Sequence, residues 1–237
     1  MSPTRHLTEC ASTNDVARAW ARDTHDPAPE GAIVTADYQT AGRGRRGRVW
    51  RSEPGENALM SIVLRPPYAI DEAWKLGFVA AVAVADALAD FGVSPHLKWP
   101  NDILVEARKA GGILVETETA AGGGWAAVVG VGVNVNQPSF DDGPYDLSPI
   151  SLRMATGDEL PVAEIIDSVR GRLLTWEDTH RRLGFASIVQ AWRERMAVGY
   201  EIKRGASRGV QSLLQDDGKL RVMLPDGTFA VWGTIDE

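Results

Sequence analysis

The sequence predicts an α+β fold, in which a mixed β-sheet is flanked by helices and followed by a small C-terminal β-barrel. Short apolar segments typical of strands recur in the first half of the chain. Long helical patterns cover 71–91 and 161–183. After Gly199 the chain consists of short strands separated by tight hairpin signals. We therefore expect a main domain over residues 1–199 and a small β-domain over 200–237.

The first half of the chain alternates between helical and strand patterns. Ser12 or Thr13 is a candidate N-cap for the first helix, and Gly92 is a candidate end for the longest one. Pro66-Pro67 stops the second strand. In chain order, we expect a helix at 15–22, strands at 32–36 and 57–64, a helix at 71–91, and strands at 95–99, 103–106, 112–118 and 125–134, the last two joined at Gly122-Gly123-Gly124.

The second half begins with a long loop over 137–157, a length that is usually functional or mobile. A helical pair at 161–183 and 186–198 follows. Asp216-Asp217-Gly218 and Pro225-Asp226-Gly227 are hairpin signals in the C-terminal domain. We expect its strands at 201–203, 210–214, 219–224 and 229–235.

Composition excludes several classes of protein. The chain has 237 residues and a formal net charge of -7, which argues against a general nucleic-acid binder. A single cysteine, Cys10, excludes an intrachain disulfide framework and a multi-cysteine zinc site, and it suggests a reducing compartment. The most apolar stretch, 76–85, is far shorter than the roughly 20 residues of a bilayer span. With no signal peptide visible, we expect a cytoplasmic protein without membrane contact.

Arginine is concentrated in one segment of this acidic chain. Gly42 to Arg48 reads GRGRRGR, and Trp50 follows. Glycines let a backbone approach a ligand closely, its N–H groups can surround an anion, and arginine binds phosphate with a planar fork. The formal Gly-x-Gly-x-x-Gly pattern is weak evidence by itself, because no helix clearly follows. The alternative is a solvated basic loop or a nucleic-acid arm.

A second candidate segment is Lys98-Trp99-Pro100-Asn101-Asp102, directly after an apolar strand. A lysine at a strand end can place its ammonium in a cleft and neutralise charge on a transferred phosphate. Asn101 and Asp102 can ligate Mg²⁺ or accept a hydrogen bond from a sugar hydroxyl, although both residues also favour turns. The alternative is a surface lysine before an ordinary turn.

Two further segments place glycines at apolar strands. They are Lys109 to Glu116, which reads KAGGILVE, and Gly130 to Asn136, which reads GVGVNVN. Glycine weakens a strand unless something must approach its backbone closely, and a flat ligand on the sheet is one such thing. A β-bulge or tight packing between strands is the alternative.

In this order and spacing, the motifs resemble the biotin protein ligases. The resemblance runs from residue 12 to about residue 136 and rests on Ser12-Thr13-Asn14, Gln39, GRGRRGR with Trp50, KWPND, the Lys109/GGILVE strand and GVGVNVN. It implies a catalytic domain of the type shared with class II aminoacyl-tRNA synthetases, followed by an SH3-like barrel. It also implies that biotin and ATP form biotinyl-5′-AMP and that biotin then passes to a lysine of a carrier protein.

The resemblance implies a role for each motif residue. Lys98, Arg45 and Arg48 are the implied catalytic residues. Trp50, Arg46, Arg48, Asn101 and Asn134 are implied to contact ATP or the adenylate, with Mg²⁺ held mainly by the ATP phosphates and no protein ligand assigned. The implied biotin contacts are Ser12, Thr13, Asn14, Gln39, Gly42, Arg43, Gly44, Arg45, Lys98, Gly112 and Gly132. The loop from Gly42 to Arg48, called the arginine loop below, is implied to close over the adenylate.

The resemblance also sets expectations for partners. Biotin carboxyl carrier domains of biotin-dependent carboxylases are the expected acceptors. Only 11 residues precede Ser12, so we expect a monofunctional ligase with neither a helix-turn-helix domain nor a nucleic-acid partner. Thr40 stands where a second glutamine is common in the family. Neither the particular carrier protein nor the oligomeric state can be read from the sequence.

Two alternative functions remain at the level of sequence. A lipoate-protein ligase or octanoyltransferase shares the general fold and acyl-transfer chemistry, but it predicts a long apolar slot, and the GRGRRGR and KWPND motifs argue against it. A non-enzymatic RNA-binding module would use the basic cluster at 43–51. The net acidic charge and the lack of aromatic residues within the cluster, apart from Trp50, argue against that reading.

Overall fold

The computed structural model describes residues 2–120, 123–143 and 145–233. A seven-stranded sheet with the order β1-β2-β3-β7-β6-β5-β4 forms its centre. Its strands are β1 (Thr4–Cys10), β2 (Ile33–Gln39), β3 (Asn57–Leu64), β4 (His96–Lys98), β5 (Asp102–Val105), β6 (Arg108–Thr119) and β7 (Trp125–Asn134). The bounds of β3 and β7 are those predicted from the sequence.

Strand β1 is absent from the sequence prediction. It lies at the edge of the sheet and pairs in parallel with β2, whereas the other neighbours in this sheet are antiparallel. The predicted mixed sheet is therefore confirmed. The residues of β1 alternate between exposed and half-buried positions and include no long apolar run, so the strand is defined mainly by its backbone pairing with β2.

Helices cover the two faces of the sheet unequally. The helices are α1 (Thr13–Ala21), α2 (Lys75–Ala89), α3 (Leu152–Thr156), α4 (Val162–Leu183) and α5 (Phe185–Glu194). Neighbouring residues on a strand point to opposite faces. Ile62 and Val129 belong to the large core with α2, α4 and α5, while Val63 and Val128 pack with α1 on the other side. One short helix therefore covers only part of its face.

Several predicted segments differ from the structure. The helix predicted at 186–198 ends at Glu194, and the strand predicted at 112–118 begins at Arg108. The expected loop at 137–157 contains α3, which Ser151 caps by accepting a hydrogen bond from Met154 N at 3.1 Å. Five residues are too few to show a helical period in the sequence. The helix predicted at 71–91 begins only at Lys75, after a 3₁₀ turn over Ile70–Glu72.

The C-terminal part forms a second, antiparallel sheet with the order β11-β10-β9-β8, which fits the predicted small SH3-like domain. Of the expected turn at 122–124 and the expected last strand, residues 122, 234 and 235 lie outside the described ranges. The strands of this sheet are β8 (Glu201–Arg204), β9 (Ser207–Leu214), β10 (Leu220–Met223) and β11 (Phe229–Trp232).

The buried side chains of Gln211 and Trp99 form hydrogen bonds that link the second sheet to the first. Gln211 donates to the carbonyls of Leu97 and Ala197, both at 3.0 Å, and accepts from Trp99 N at 2.8 Å. Trp99 Nε1 also donates to the carbonyl of Gly218 at 3.1 Å. Strand β4 and the turn after it are therefore positioned by both sheets.

None of the helices within the described ranges has the length and apolar character needed to cross a bilayer.

Candidate functional site

A cavity of about 620 Å³ opens on the face of the main sheet that α1 leaves partly uncovered. Its floor includes Gly112, Gly130 and Gly132 of β6 and β7. Gly112 and Gly132 are directly paired across the two strands. A sheet surface without side chains lets a flat molecule approach the backbone. Three glycines of the two strand segments singled out in the sequence therefore form part of one cavity surface, whereas Gly111 is not in the lining.

All but one of the residues predicted for the site line this cavity. They come from α1, the ends of β2, β4 and β7, the arginine loop and β6. The exception is Gly42, which lies just behind the lining: a Cβ there would stand 2.7 Å from Trp50 O and 3.2 Å from Gln39 Nε2. The predicted residues in the lining are Ser12, Thr13, Asn14, Gln39, Arg43, Gly44, Arg45, Arg46, Arg48, Trp50, Lys98, Asn101, Gly112, Gly132 and Asn134.

A compact hydrogen-bonded group lies at the start of α1. Gln39 Oε1 accepts from Thr13 N at 2.8 Å and lies 3.1 Å from Thr13 Oγ1. Ser61 Oγ lies 2.7 Å from Thr13 Oγ1 and 2.5 Å from Asn14 Oδ1. The hydroxyls of Thr13 and Ser61 have only two protons for these three side-chain contacts. The group can therefore reorient to hydrogen-bond a polar ligand.

The structure also corrects the expected capping of α1. Ser12 is the N-cap residue, but its hydroxyl makes no capping hydrogen bond. The backbone carbonyl of Ser12 accepts from Asp15 N and Val16 N instead. The hydroxyl of Thr13 points to Gln39 rather than to the helix. The side chains of Ser12 and Thr13 therefore line the cavity instead of capping the helix.

Two residues of this region were missed in the sequence. Ser61 is a fully buried polar residue within the otherwise apolar strand β3 after Asn57, and that break in the pattern was the available signal. Glu116 Oε2 accepts from Asn14 Nδ2 at 2.6 Å and from Arg43 Nη2 at 3.1 Å. No sequence pattern indicated that partnership, because the residues are far apart in the chain.

Arg43 is held by carboxylates at one side of the cavity. Its guanidinium donates two hydrogen bonds to Asp15, at 2.6 and 2.7 Å, in addition to its bond with Glu116. The hydrogen bond from Arg43 lowers the pKa of Asp15, so the pair stays ionised at neutral pH. Arg43 therefore anchors the first part of the arginine loop to α1.

The rest of the arginine loop folds back on itself around a 3₁₀ turn over Arg45–Gly47. Gly44 N donates to the carbonyl of Arg48 at 2.8 Å. Two ion pairs join the loop and the residues just after it to the segment that follows β7: Arg48 with Asp146 at 2.6 Å and Arg51 with Asp141 at 2.9 Å. These pairs are largely exposed, so each contributes little stability and a competing anion can displace it.

Trp50 lies on the glycine floor. A Cβ on Gly132 would stand 2.7 Å from Trp50 Cε2, and one on Gly112 would stand 3.4 Å from Cζ3. The indole N–H is buried and has no hydrogen-bond partner among the described residues. The side chain thus covers the two glycines that the resemblance places beneath biotin.

Lys98 and Lys109 both line this cavity, and the sequence indicated a role only for Lys98. Lys98 comes from the end of β4. Lys109 of β6 lies close to Gly112, where a Cβ would be 3.6 Å from its Nζ, and its ammonium forms an ion pair with Asp102 at 2.5 Å. Its position two residues before Gly111-Gly112, at the start of an apolar strand, was the available signal. Together with the arginine loop, these lysines form a cationic wall of the cavity, next to the floor of strand glycines.

Burial lowers the pKa of Lys98, and the neighbouring cations Lys109 and Arg48 act in the same direction, while Asp102 and Asp146 oppose it. The folded protein therefore loses this proton at a lower pH than an unfolded chain does. We expect kcat/KM for a phosphate-bearing substrate to fall on the alkaline side below pH 10.5, the ordinary pKa of lysine.

A pH profile of the Lys98→Arg variant tests this expectation. Guanidinium stays charged through the alkaline range, so the fall in kcat/KM should move to higher pH. In the parent protein, the fall in kcat should also lie at higher pH than that in kcat/KM, because a bound anion stabilises the ammonium. An alkaline limb that is identical in both proteins would assign the titration to another group.

Asn101 and Asn134 use their amides within the protein. Asn101 Nδ2 donates to the carbonyl of Ile113 at 2.9 Å, which joins the turn after β4 to β6. Asn134 Nδ2 donates to the carbonyl of Ile150 at 3.1 Å and is buried. Their predicted contacts with ATP stay predictions, and the Nδ2 atom of each residue already donates to a backbone carbonyl.

The second sheet also contributes to the lining, through Glu201, Ile202, Lys203, Arg204 and Gly233. These residues were missed because nothing in the sequence indicates where the C-terminal strands lie against the main sheet. Within the described ranges, no three His, Cys, Asp or Glu side chains come together as a metal site. Cys10 lies outside the lining, and burial raises its pKa, which keeps the thiol protonated.

Comparison with known proteins agrees with this geometry. Residues 8–136 match the model of the biotin/lipoate A/B protein ligase family. The chain is 36% identical over 233 residues to the bifunctional ligase/repressor BirA of Bacillus spizizenii, covering 94% of this chain and 70% of that one. It is 37% identical over 207 residues to the biotin–[acetyl-CoA-carboxylase] ligase of Paracoccus denitrificans, covering 83% and 85% of the two chains.

The fold matches a solved structure over almost its full length. The biotin protein ligase from Aquifex aeolicus in complex with biotin and ATP superposes with a TM-score of 0.81 and 24% identity, covering 99% of this chain and 97% of that one. This similarity concerns the fold alone. The family model matches more than half of the chain, and the relatives align with most of it. This chain therefore belongs to the biotin/lipoate A/B protein ligase family.

Proposed function

We propose that this protein is an ATP-dependent biotin protein ligase, which makes biotinyl-5′-AMP and transfers biotin to a lysine of a carrier domain. The main support is the lining of one cavity, which contains both the polar group around Thr13, Asn14 and Gln39 and a wall of lysine and arginine side chains. The first part suits the ureido ring of biotin and the second suits phosphate. The relative from Paracoccus denitrificans is named for the same reaction.

In the first step, a carboxylate oxygen of biotin attacks the α-phosphorus of ATP, and pyrophosphate leaves. Two anions must approach each other, and negative charge builds up around phosphorus. Lys98 and Lys109, which line the cavity, and Arg45 and Arg48 from the loop are placed to offset that charge. In the second step, a lysine amine of the carrier attacks the acyl carbon, AMP leaves, and the attacking nitrogen loses a proton.

The arginine loop acts as a cover for the adenylate, which is a mixed anhydride that water hydrolyses. Arg48 and Arg51 are held by Asp146 and Asp141 through largely exposed ion pairs, so phosphate can replace those carboxylates at modest energetic cost. Biotin reaches the glycines under Trp50 only when that indole moves. Binding and closure are therefore coupled through one loop.

Arg45→Gly should release the adenylate prematurely. Arg45 lies in the 3₁₀ turn of the loop and lines the cavity, so its loss removes a cation and loosens the cover. We expect faster loss of biotinyl-AMP and unspecific labelling of lysines on a bystander protein, measured by avidin blotting. Equal labelling and equal adenylate retention in parent and variant would remove Arg45 from this role. Arg182→Gly, on an exposed part of α4, is the matched control.

The acceptors we propose are biotin carboxyl carrier domains of biotin-dependent carboxylases, with that of acetyl-CoA carboxylase first because of the name of the Paracoccus relative. Mg²⁺ bound mainly by the ATP phosphates is part of the proposal, while the steps above use only side chains of this chain. The division at residues 199 and 200 and a cytoplasmic location, suggested by the single cysteine, also stay proposals.

The decisive experiment is ATP–pyrophosphate exchange with biotin, with lipoate, and without an acid. Exchange that requires biotin supports the proposal. Exchange with lipoate but not biotin would replace it with the lipoate-ligase alternative. Retention of RNA on a filter at physiological salt, with no exchange under any condition, would favour the RNA-binding alternative.

A further inference from the structure

The second sheet exposes an apolar outer face. Leu213, Met223, Phe229 and Val231 are 43%, 42%, 49% and 51% exposed, although all are large apolar residues. Their strand neighbours point the other way: the inner face buries Ile202, Leu214, Leu220, Val222 and Trp232 in the main core. The inner face accounts for the folding of this sheet, whereas the apolar outer face has no covering element among the described residues.

Strand pairing makes this outer face one continuous surface. Met223 is paired with Phe229 on one side and with Val210 on the other. Leu213 lies beside Arg221, which is paired with Val231. Paired residues on antiparallel strands share a face, so these side chains form two adjacent rows. We call them the outer apolar face.

The outer apolar face reaches the rim of the cavity. Val210 is paired with Glu201 of β8, and both Glu201 and Lys203 line the cavity. The row therefore runs from Phe229 through Met223 and Val210 to the cavity without interruption. A partner protein bound to this face would therefore lie beside the mouth of the cavity, and one of the partner's side chains could enter the cavity from there.

The same face includes one well-placed cation. The guanidinium of Arg221 lies over the ring of Phe229, 3.8 Å from its centroid. Such stacking orients the charge while leaving its edge able to bind a carboxylate. Apolar and aromatic side chains with an arginine among them are the usual composition of a protein-binding surface.

We propose that the outer apolar face docks the folded carrier domain whose lysine accepts biotin. This rests on the proposed function and adds the place where the acceptor binds. The acceptor lysine must reach the adenylate while the carrier domain stays outside, so the carrier needs a surface at the rim. The outer apolar face is such a surface, and it predicts an apolar patch with a carboxylate on the carrier.

The test uses Phe229→Glu and, separately, Val231→Glu in the full chain. With a purified biotin carboxyl carrier domain as acceptor, we expect the KM for the carrier to rise about tenfold, as for a residue central to an interface. Biotin-dependent ATP–pyrophosphate exchange, and transfer of biotin to hydroxylamine, should be unchanged. The control is Leu183→Glu at the end of α4, where the side chain of Leu183 is 64% exposed. It should leave the KM for the carrier, the exchange rate and the rate of transfer to hydroxylamine unchanged.

Each outcome separates the two proposals. If the parent protein shows no biotin-dependent exchange, the proposed function fails. If exchange is normal and both variants transfer to the carrier with the parental KM, only the docking proposal fails. If the parent protein is a dimer and the variants are monomers with an unchanged KM for the carrier, the outer apolar face binds a second copy of this chain, and the docking proposal is overturned. Equal losses in exchange and transfer would indicate misfolding of the second sheet, which also contradicts a specific docking role.

Discussion

Replacing Lys98 with alanine should lower the rate of biotin-dependent ATP–pyrophosphate exchange by about 10²–10³-fold and leave the fold intact. Lys98 lies at the end of β4, among the groups that face the cavity. Its partly desolvated ammonium stabilises charge at phosphorus more strongly than a fully hydrated one does. The effect should appear mainly in kcat, because the charge that it offsets develops in the transition state.

Two further variants complete this test. Lys98→Arg keeps the charge and should recover part of the rate, whereas a residue needed only for packing would not be rescued in this way. Lys219→Ala removes an exposed lysine outside the cavity lining and should be neutral. Near-normal exchange in Lys98→Ala would remove Lys98 from the mechanism, and Lys109, close to the same floor, would become the principal lysine.

Gly130→Ala should raise the KM for biotin by about tenfold to hundredfold, the equivalent of about 1–3 kcal/mol of overpacking. A Cβ at Gly130 would overlap Asn14 Oδ1 and stand 3.0 Å from Asn14 Cγ and Nδ2. Asn14 cannot move without losing contacts to Ser61 and Glu116. The substitution therefore disturbs the polar group at the start of α1, which we assign to the ureido ring. The measurement is the dependence of exchange on biotin concentration.

The matched control is Gly171→Ala in α4. A Cβ there meets nothing within 4 Å, and alanine is the better helix former. We expect unchanged kinetics and a gain of about 0.5–1 kcal/mol in the free energy of unfolding. If Gly130→Ala binds biotin as the parent does, the polar group is not the ureido site. A rise in the KM for ATP alone would point to the same conclusion.

Much of the fold was predictable because its signals are local. The strands Asn57–Leu64 and Trp125–Asn134 were predicted with their observed bounds, since both are apolar runs ended by turn residues. Strand β1 was missed because an edge strand buries little and shows no apolar run. The short helix α3 was missed because five residues show no helical period.

Most residues of the candidate site were also predictable, because the signals of the motifs are local in the sequence. Motif residues whose chemistry is unusual for their position, such as the arginines among glycines and Lys98 before Pro100, were recognised in the sequence. Ser61 and Glu116 were not, because their roles depend on neighbours 47 to 102 positions away in the chain. A polar residue in a strand acquires such a role only after the strands pair.

The amino-acid sequence by itself determined which chemical groups this protein has: a glycine-rich arginine loop, a lysine at a strand end and glycines at apolar strands. It did so because backbone freedom, charge and hydrophobic period belong to single residues or short segments. Only the tertiary structure decided that Gly112 and Gly132 form one floor, that Lys109 faces it, and that the second sheet borders it. Those relations depend on strand register and on packing between distant segments, which are set by the whole fold.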